Sequence, residues 1–191
     1  MDCQYNRKLA IACGLITIPC RRTFDRRLKT ISTDIKERIS TMGYLFVTYG
    51  LADPSITSID STLLKAKGHV WHKSSMKKGI VPCPGIDTDA RWGYSHTKEG
   101  WIFGYKLHLT CTTAIGEIVV PLTADVTTAN VPDNKICVPL TTSSPVFSLP
   151  LTCYMVADPG YDAKKLYEYS KKLGIDLICP VERYEIFQKE A

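Results

Sequence analysis

This sequence predicts an α/β domain: a mixed five-stranded sheet with flanking helices, behind a small helical N-terminal segment. Three observations predict it. Three strand-like runs come first, two of them forming a hairpin, so the sheet begins antiparallel. Two strand–helix units follow, and these call for a parallel continuation. The 191 residues are 45% hydrophobic and 23% charged, enough for one ordinary domain with a small appendage and unlike a disordered chain.

Residues 1–45 read as helical. Pro19 suits a first helical position. Phe24 and Leu28 fall four apart on one face, with Arg21, Arg22, Arg26 and Arg27 around the rest. A second helix is expected from about Thr33 to Met42, with Ile31, Ile35, Ile39 and Met42 as its apolar stripe and Gly43 as its terminator. Joined near Ile31-Ser32, the two would resemble a small helix-turn-helix. Ile56 to Leu64 is the first strand. Lys65 to Gly100 reads as one long irregular loop, with Lys65, Lys67, Lys73, Lys77, Lys78, Arg91 and Lys98 interleaved with Trp71 and Trp92. Trp101 to Cys111 alternates strictly. Trp101, Phe103, Tyr105, Leu107 and Leu109 lie on one face, and Ile102, Gly104, Lys106, His108 and Thr110 on the other. Thr112 to Gly116 turns the chain, and Glu117 to Leu122 returns as the third strand. A crossover helix is expected over Asn130–Leu140. Leu151 to Ala157 is the fourth strand, Asp162 caps a helix carrying Leu166, Tyr167, Tyr169 and Leu173, and Asp176 to Pro180 is the fifth strand.

No apolar run approaches the roughly 18 residues of a membrane span. Leu9 to Ile18 is short, interrupted by Gly14 and Thr17, and followed by arginines, which suits a buried helix better than a signal peptide. Eight cysteines are scattered with no C-x-x-C pair, as expected of reduced thiols, with Cys111, Cys153 and Cys179 at apolar strand positions. His69, His72 and Cys83 match no standard zinc spacing. The formal charge of +5 is local: residues 1–40 hold nine Lys or Arg against four acids, and the remainder balances. A concentrated basic segment fits a polyanion, nucleic acid first, or simply a solvated helix face. The mixed basic and aromatic stretch 65–98 fits a nucleic-acid backbone with stacked bases, or a surface loop anchored by two tryptophans.

Two acids stand out. Asp158 ends an apolar strand and precedes the turn Pro159-Gly160, the place where open α/β sheets build their sites. Asp60 sits inside a strand, between Ile59 and Leu63-Leu64, where an acid needs a reason. Converging on one point, the two would hold a hard divalent cation. Asp158 is equally a common turn residue.

Four stretches carry a resemblance: Ser58-Ile59-Asp60-Ser61-Thr62, Gly100 to His108, Ala124 to Asn130, and Val156 to Asp162. In this order, over residues 20–183, the chain resembles the DDE transposases of bacterial insertion sequences. The resemblance implies an RNase H-like catalytic domain over 51–191 behind a basic, DNA-binding segment over 1–50. It implies a prokaryotic cytoplasmic protein acting on transposon ends and target DNA, with two Mg2+ or Mn2+ ions and no membrane. Asp60 becomes the first catalytic acid and Asp158 the second, both metal ligands. Arg21, Arg22, Arg26, Arg27, Lys65, Lys67, Lys106 and His108 are the expected DNA contacts. The family's third acid is a Glu on a helix beyond the fifth strand, and Glu182, Glu185 and Glu190 do not match its context. The domain is therefore expected to be incomplete, with little activity of its own and with an apolar sheet face left open that favours self-association. A non-catalytic DNA-binding fragment that competes with the full transposase, or another RNase H-fold nuclease with its remaining acid in this chain, are the alternatives.

Overall fold

The computed structural model describes residues 21–95, 100–113 and 118–180, with side-chain surroundings given from residue 34. The chain divides into two units, Met1–Glu37 and Arg38–Ala191, and the sheet belongs to the second. Helix α1 spans Arg21–Thr48 without a break, which overturns the expected helix pair joined near Ile31-Ser32. Nothing between Arg21 and Met42 is a glycine or proline, and a lone serine does not stop a helix. Gly43 is interior as well. A Cβ there would come 2.8 Å from the Pro121 carbonyl oxygen, so glycine lets the helix close on the backbone at Pro121 and Leu122. The terminator is Gly50, at φ 68°. Ile35 and Met42 of the expected stripe are 43% and 52% exposed. Val47 enters the core instead, with Tyr44 and Phe46 packed against it.

The strands are β1 (Ile56–Lys65), β2 (Arg91–Ser95), β3 (Gly100–Thr112), β4 (Pro121–Thr128), β5 (Tyr154–Ala157) and β6 (Asp176–Ile178). They form one sheet in the order β2-β3-β1-β5-β6, with β4 also paired to β3. Strands β2, β3, β4 and β1 pair antiparallel, while β1, β5 and β6 pair parallel, as expected. The sheet has six strands, one more than the sequence suggests. The extra one, β2, lies in the stretch read as irregular and takes the first part of the β3 edge whose remainder β4 occupies. Helices α2 (Lys73–Lys77), α3 (Cys137–Ser143) and α4 (Lys164–Lys172) complete the described elements, with single 3-10 turns at Asp133–Lys135, Pro145–Ser148 and Pro159–Tyr161. The third strand is displaced from its expected place at Glu117–Leu122. Ile118 and Val119 have strand propensity but are more than half exposed, and the chain enters the ladder only at Pro121, a residue confined to strand starts and edges. The crossover expected as a helix over Asn130–Leu140 is a 3-10 turn followed by α3.

The register sorts the sheet into two faces. Ile59, His108, Thr110, Thr123, Met155 and Ala157 point to the covered face, where Leu140, Val146, Phe147, Tyr161 and Leu166 close the core. Asp60, Leu64, Leu107, Leu109, Val126, Val156 and Ile178 point the other way, and Leu64, Val126, Val156 and Ile178 are each 41–49% exposed. The alternation of β3 is therefore real, but its polar side is the buried one. The hydroxyls satisfy each other across strands, Thr110 Oγ1 to Thr123 Oγ1 at 2.7 Å. Replacing Thr110 alone by valine should cost about 1–3 kcal/mol, because it orphans the Thr123 hydroxyl. Replacing both by valine should recover most of that in urea denaturation. A double variant as unstable as the sum of the singles would show that the pair is not the reason for burial.

Five described cysteines are free thiols, and Cys153 is exposed rather than buried because β5 begins one residue later. Among the described residues no helix is long and apolar enough to cross a membrane. The Leu9 to Ile18 segment lies outside the described residues.

Candidate active site

Strand β1 delivers Asp60 to the open face, so the puzzle of a mid-strand acid resolves: its carboxylate is exposed, and Oδ1 accepts the Ser61 N–H at 2.6 Å. Strand β5 ends at Ala157, paired with Ile59. Asp158 is the next residue beside Asp60, roughly 4.8 Å away at the backbone in a parallel pair. Asp158 is also the cap of the turn that follows, with Oδ1 accepting the Gly160 N–H at 3.0 Å. Each acid thus follows directly on a residue of the pair Ile59–Ala157.

A further carboxylate, which sequence reading missed, stands beside Asp158. Asp133 opens the 3-10 turn after β4. A Cβ built on Gly160 would lie 3.1 Å from Asp158 Oδ1 and 3.4 Å from Asp133 Oδ2, so those two oxygens face one small space over that glycine. The Asp158 carboxyl is pushed above its ordinary range, first by partial burial, then by Asp133 and by Asp60, against the opposing pull of the Gly160 N–H and Lys106. Like charges gathered this way take up protons unless a cation compensates them.

One cation is already present. Lys106 Nζ lies 3.0 and 3.2 Å from the two Asp133 oxygens and donates to the Val131 carbonyl at 3.1 Å. Lys106 is therefore held against Asp133 on the covered face, only 12% exposed, rather than facing solvent. His108 is further in. Its ring is fully buried, Nε2 lies 2.9 Å from Thr127 Oγ1, and Nδ1 lies 3.6 Å from Asp133 Oδ1. Burial holds the imidazole below its ordinary range, outweighing the contrary pull of Asp133. The expected DNA contact through His108 is corrected by this placement: a ring with no exposed surface, backing Asp133, does not touch a phosphate. Tyr161 is buried too. Its hydroxyl has no partner, and its phenol is pushed far up by burial, then by Asp133, Asp158 and Asp60.

The remaining expected contacts scatter. Lys65 and Lys67 are exposed at and beyond the far end of β1. Arg21, Arg22, Arg26 and Arg27 lie on α1, and their side chains are outside the described set. The three tryptophans separate by role. Trp71 and Trp92 each donate their indole N–H to a backbone carbonyl at 2.8 Å, which anchors the 65–95 segment. Trp101 is 58% exposed, with Lys73 Nζ 3.3 Å from its ring centre and Tyr94 edge-on at 5.5 Å.

Two exposed carboxylates on adjacent strands suit a hard divalent ion in donor type and in access to water. Among the described residues no three His, Cys, Asp or Glu side chains stand close enough to hold one. Residues 51–190 match the family described as the transposase DDE domain. The chain belongs to that family. Membership fits the RNase H-like sheet seen here, three antiparallel strands followed by two parallel ones with β2 added at the edge. A solved structure similar to this chain is the cryo-EM structure of a piggyBac transposase synaptic complex with hairpin DNA, at 15% identity and TM-score 0.41. The match covers 85% of this chain and 33% of that one. No curated protein matches the chain.

Proposed function

We propose that this chain carries two carboxylates of a metal-dependent centre that cuts and joins DNA at the ends of an insertion sequence, with Mg2+ or Mn2+ as the ion. The placement of exposed Asp60 and Asp158, each one residue beyond the last β1–β5 pair Ile59–Ala157, supports it. When bound, a pair of such ions supplies an activated water or 3′-hydroxyl and stabilises the leaving oxygen. The chain's own part is to aim the ligands. The Ser61 and Gly160 N–H groups fix one oxygen of Asp60 and one of Asp158, leaving lone pairs for a cation. Lys65, Lys67 and Trp101, exposed on β1 and β3 and the segment after β1, offer phosphate and base contacts without a role in bond breaking.

Only two acids of the described residues meet as open ligands, which supports weak cleavage by the chain alone. The full-chain protein should bind Mn2+ in a calorimetric titration, lose that binding in Asp60→Ala, and leave a supercoiled plasmid essentially uncut. Cleavage that Asp60→Ala abolishes would overturn the inactivity while upholding the centre. Absence of ion binding would overturn the centre itself. Plasmid retained but not cut, and retained equally by Asp60→Ala, would favour the second reading of a DNA-binding fragment that competes with an intact transposase.

A further inference from the structure

We propose that Trp101, Tyr94 and Lys73 form a platform that takes an unpaired base of single-stranded DNA together with the phosphate beside it. This rests on the reading of the chain as one that acts on DNA, and it names the form of DNA held at a distance from the two acids.

The aromatic pair carries the argument. Tyr94 of β2 and Trp101 of β3 are direct ladder partners, and their rings meet edge-on at 5.5 Å. Two residues further in on the same face, the Trp92 and Phe103 rings pack at 5.6 Å, and Phe103 is buried. The Trp92 indole N–H is fixed on the Trp71 carbonyl. The outer pair therefore stands on a packed base, yet Tyr94 and Trp101 are 46% and 58% exposed. Two large rings left open side by side make a patch of the kind that marks a contact site. Every base has a π-face, so ring stacking suits a nucleic-acid strand of any sequence. A duplex keeps those faces within its own stack, so the fit is to unpaired bases.

Charge selects the partner. Lys73 is exposed, with Nζ 3.3 Å from the Trp101 ring centre and 5.9 Å from that of Trp92, and it has no acidic partner among the described residues. Residues 65–95 hold six Lys or Arg against two acids. Five of the six are exposed lysines, while Asp87 is turned to Tyr105, whose hydroxyl donates to it at 2.8 and 2.9 Å. That charge argues against a protein partner, because the cores of protein interfaces are depleted in Lys. A phosphate backbone with bases beside it matches both the lysines and the rings. Position ties the platform to the acids. Trp101 shares its face of β3 with Leu109, the register partner of Asp60, eight residues away. At about 3.4 Å per residue the two are about 27 Å apart along the strand. A DNA strand covers that length with about eight stacked nucleotides.

Fluorescence anisotropy of the full chain, without divalent ions, tests this with three labelled probes of about 15 nucleotides, near the upper end of single-strand site sizes. The probes are oligo-dT, a strand of abasic sites with the same phosphates, and a blunt duplex. The wild type should bind oligo-dT at least about fivefold more tightly than the abasic strand, the worth of one stacked base. Trp101→Ala should lose that factor on oligo-dT, lose nothing on the abasic strand or the duplex, and keep its salt slope. Trp101→Phe should keep most of the affinity. Lys73→Gln should lower the salt slope on oligo-dT by about 0.7, the share of one phosphate contact. Asp60→Ala should bind oligo-dT as the wild type does. Should Trp101→Ala not fold by circular dichroism, Trp101→Leu, which keeps an apolar side chain without a π-face, decides. Oligo-dT bound equally by the wild type and the Trp101 variants, or an equal loss on the abasic strand, overturns the platform and leaves the ion centre standing. A wild type that retains none of the three probes overturns the platform together with the reading of the chain as one that acts on DNA.

Discussion

Replacing Asp158 by asparagine should weaken divalent-ion binding strongly and, in the absence of ions, make the protein more stable at neutral pH. The two effects have one cause. Partial burial, Asp133 and Asp60 raise the folded-state pKa of Asp158 above its ordinary value, so the folded chain holds that proton more tightly than the unfolded chain does. Stability linked to this group is therefore greatest below the ordinary carboxylate pKa and declines as pH rises through the raised value. At pH 7 the whole penalty is present. Asparagine carries no charge to repel Asp133 or Asp60, and its side-chain carbonyl still accepts the Gly160 N–H that Asp158 accepts at 3.0 Å. Melting curves from pH 3 to pH 8 should show the variant gaining on the wild type as pH rises, with little or no advantage at the acid end. Saturating Mn2+ should reverse the order at pH 7, because the ion stabilises only the protein that binds it. Loss of one of two charged ligands should weaken Mn2+ binding by about two orders of magnitude or more, given how steeply affinity follows ligand charge. A variant less stable than the wild type at pH 7 without ions would show that Asp158 is held by favourable partners rather than strained among acids.

How much of this was legible in the sequence follows from how local each signal is. Asp158 is readable because an apolar strand, an acid and Pro-Gly are adjacent in the chain. Asp60 is readable as an acid out of place, and its reason becomes clear once alternate residues of β1 are seen to face water. Asp133 is invisible by the same logic. Its partner Lys106 is 27 residues away on another strand, and the contact depends on where β4 ends and the 3-10 turn begins. The faces of β3 mislead for a related reason: period two reveals alternation, not which side is covered. Polar residues lie inside there because Thr110 finds Thr123 and His108 finds Thr127 across the β3–β4 ladder, pairings set by register and not by composition. Strand β2 is missed because it is five residues long with a glycine at its centre. That glycine is demanded by the Ala129 backbone, against which any side chain at Gly93 would collide.

Gly104 should be the most sensitive of the described glycines, and its replacement by alanine should lower the melting temperature by roughly 6–12 °C, from about 3 kcal/mol of overpacking at 2–4 °C per kcal/mol. It is the residue of β3 where pairing with Lys65 of β1 meets pairing with Arg91 of β2. Its carbonyl also accepts the Ala129 N–H, which closes the end of β4 onto the same point. Its backbone is not in the left-handed region, so the cost is entirely one of space. A methyl there would drive into the Leu64 carbonyl oxygen and reach within 2.8 Å of the Ala66 nitrogen. Those are ladder and turn atoms of the backbone, which cannot rotate aside as a flexible side chain does, so β1 and β3 must separate locally. Gly79→Ala is the control of opposite kind. Gly79 sits at φ 68° with open space around its Cβ position, so its replacement carries only the left-handed backbone cost of about 1–2 kcal/mol. Thermal melts should therefore rank Gly104→Ala well below Gly79→Ala. If the two fell equally, β1 and β3 would be breathing apart at this crossing in solution, and the strand that aims Asp60 would be anchored only by its other edge, against β5.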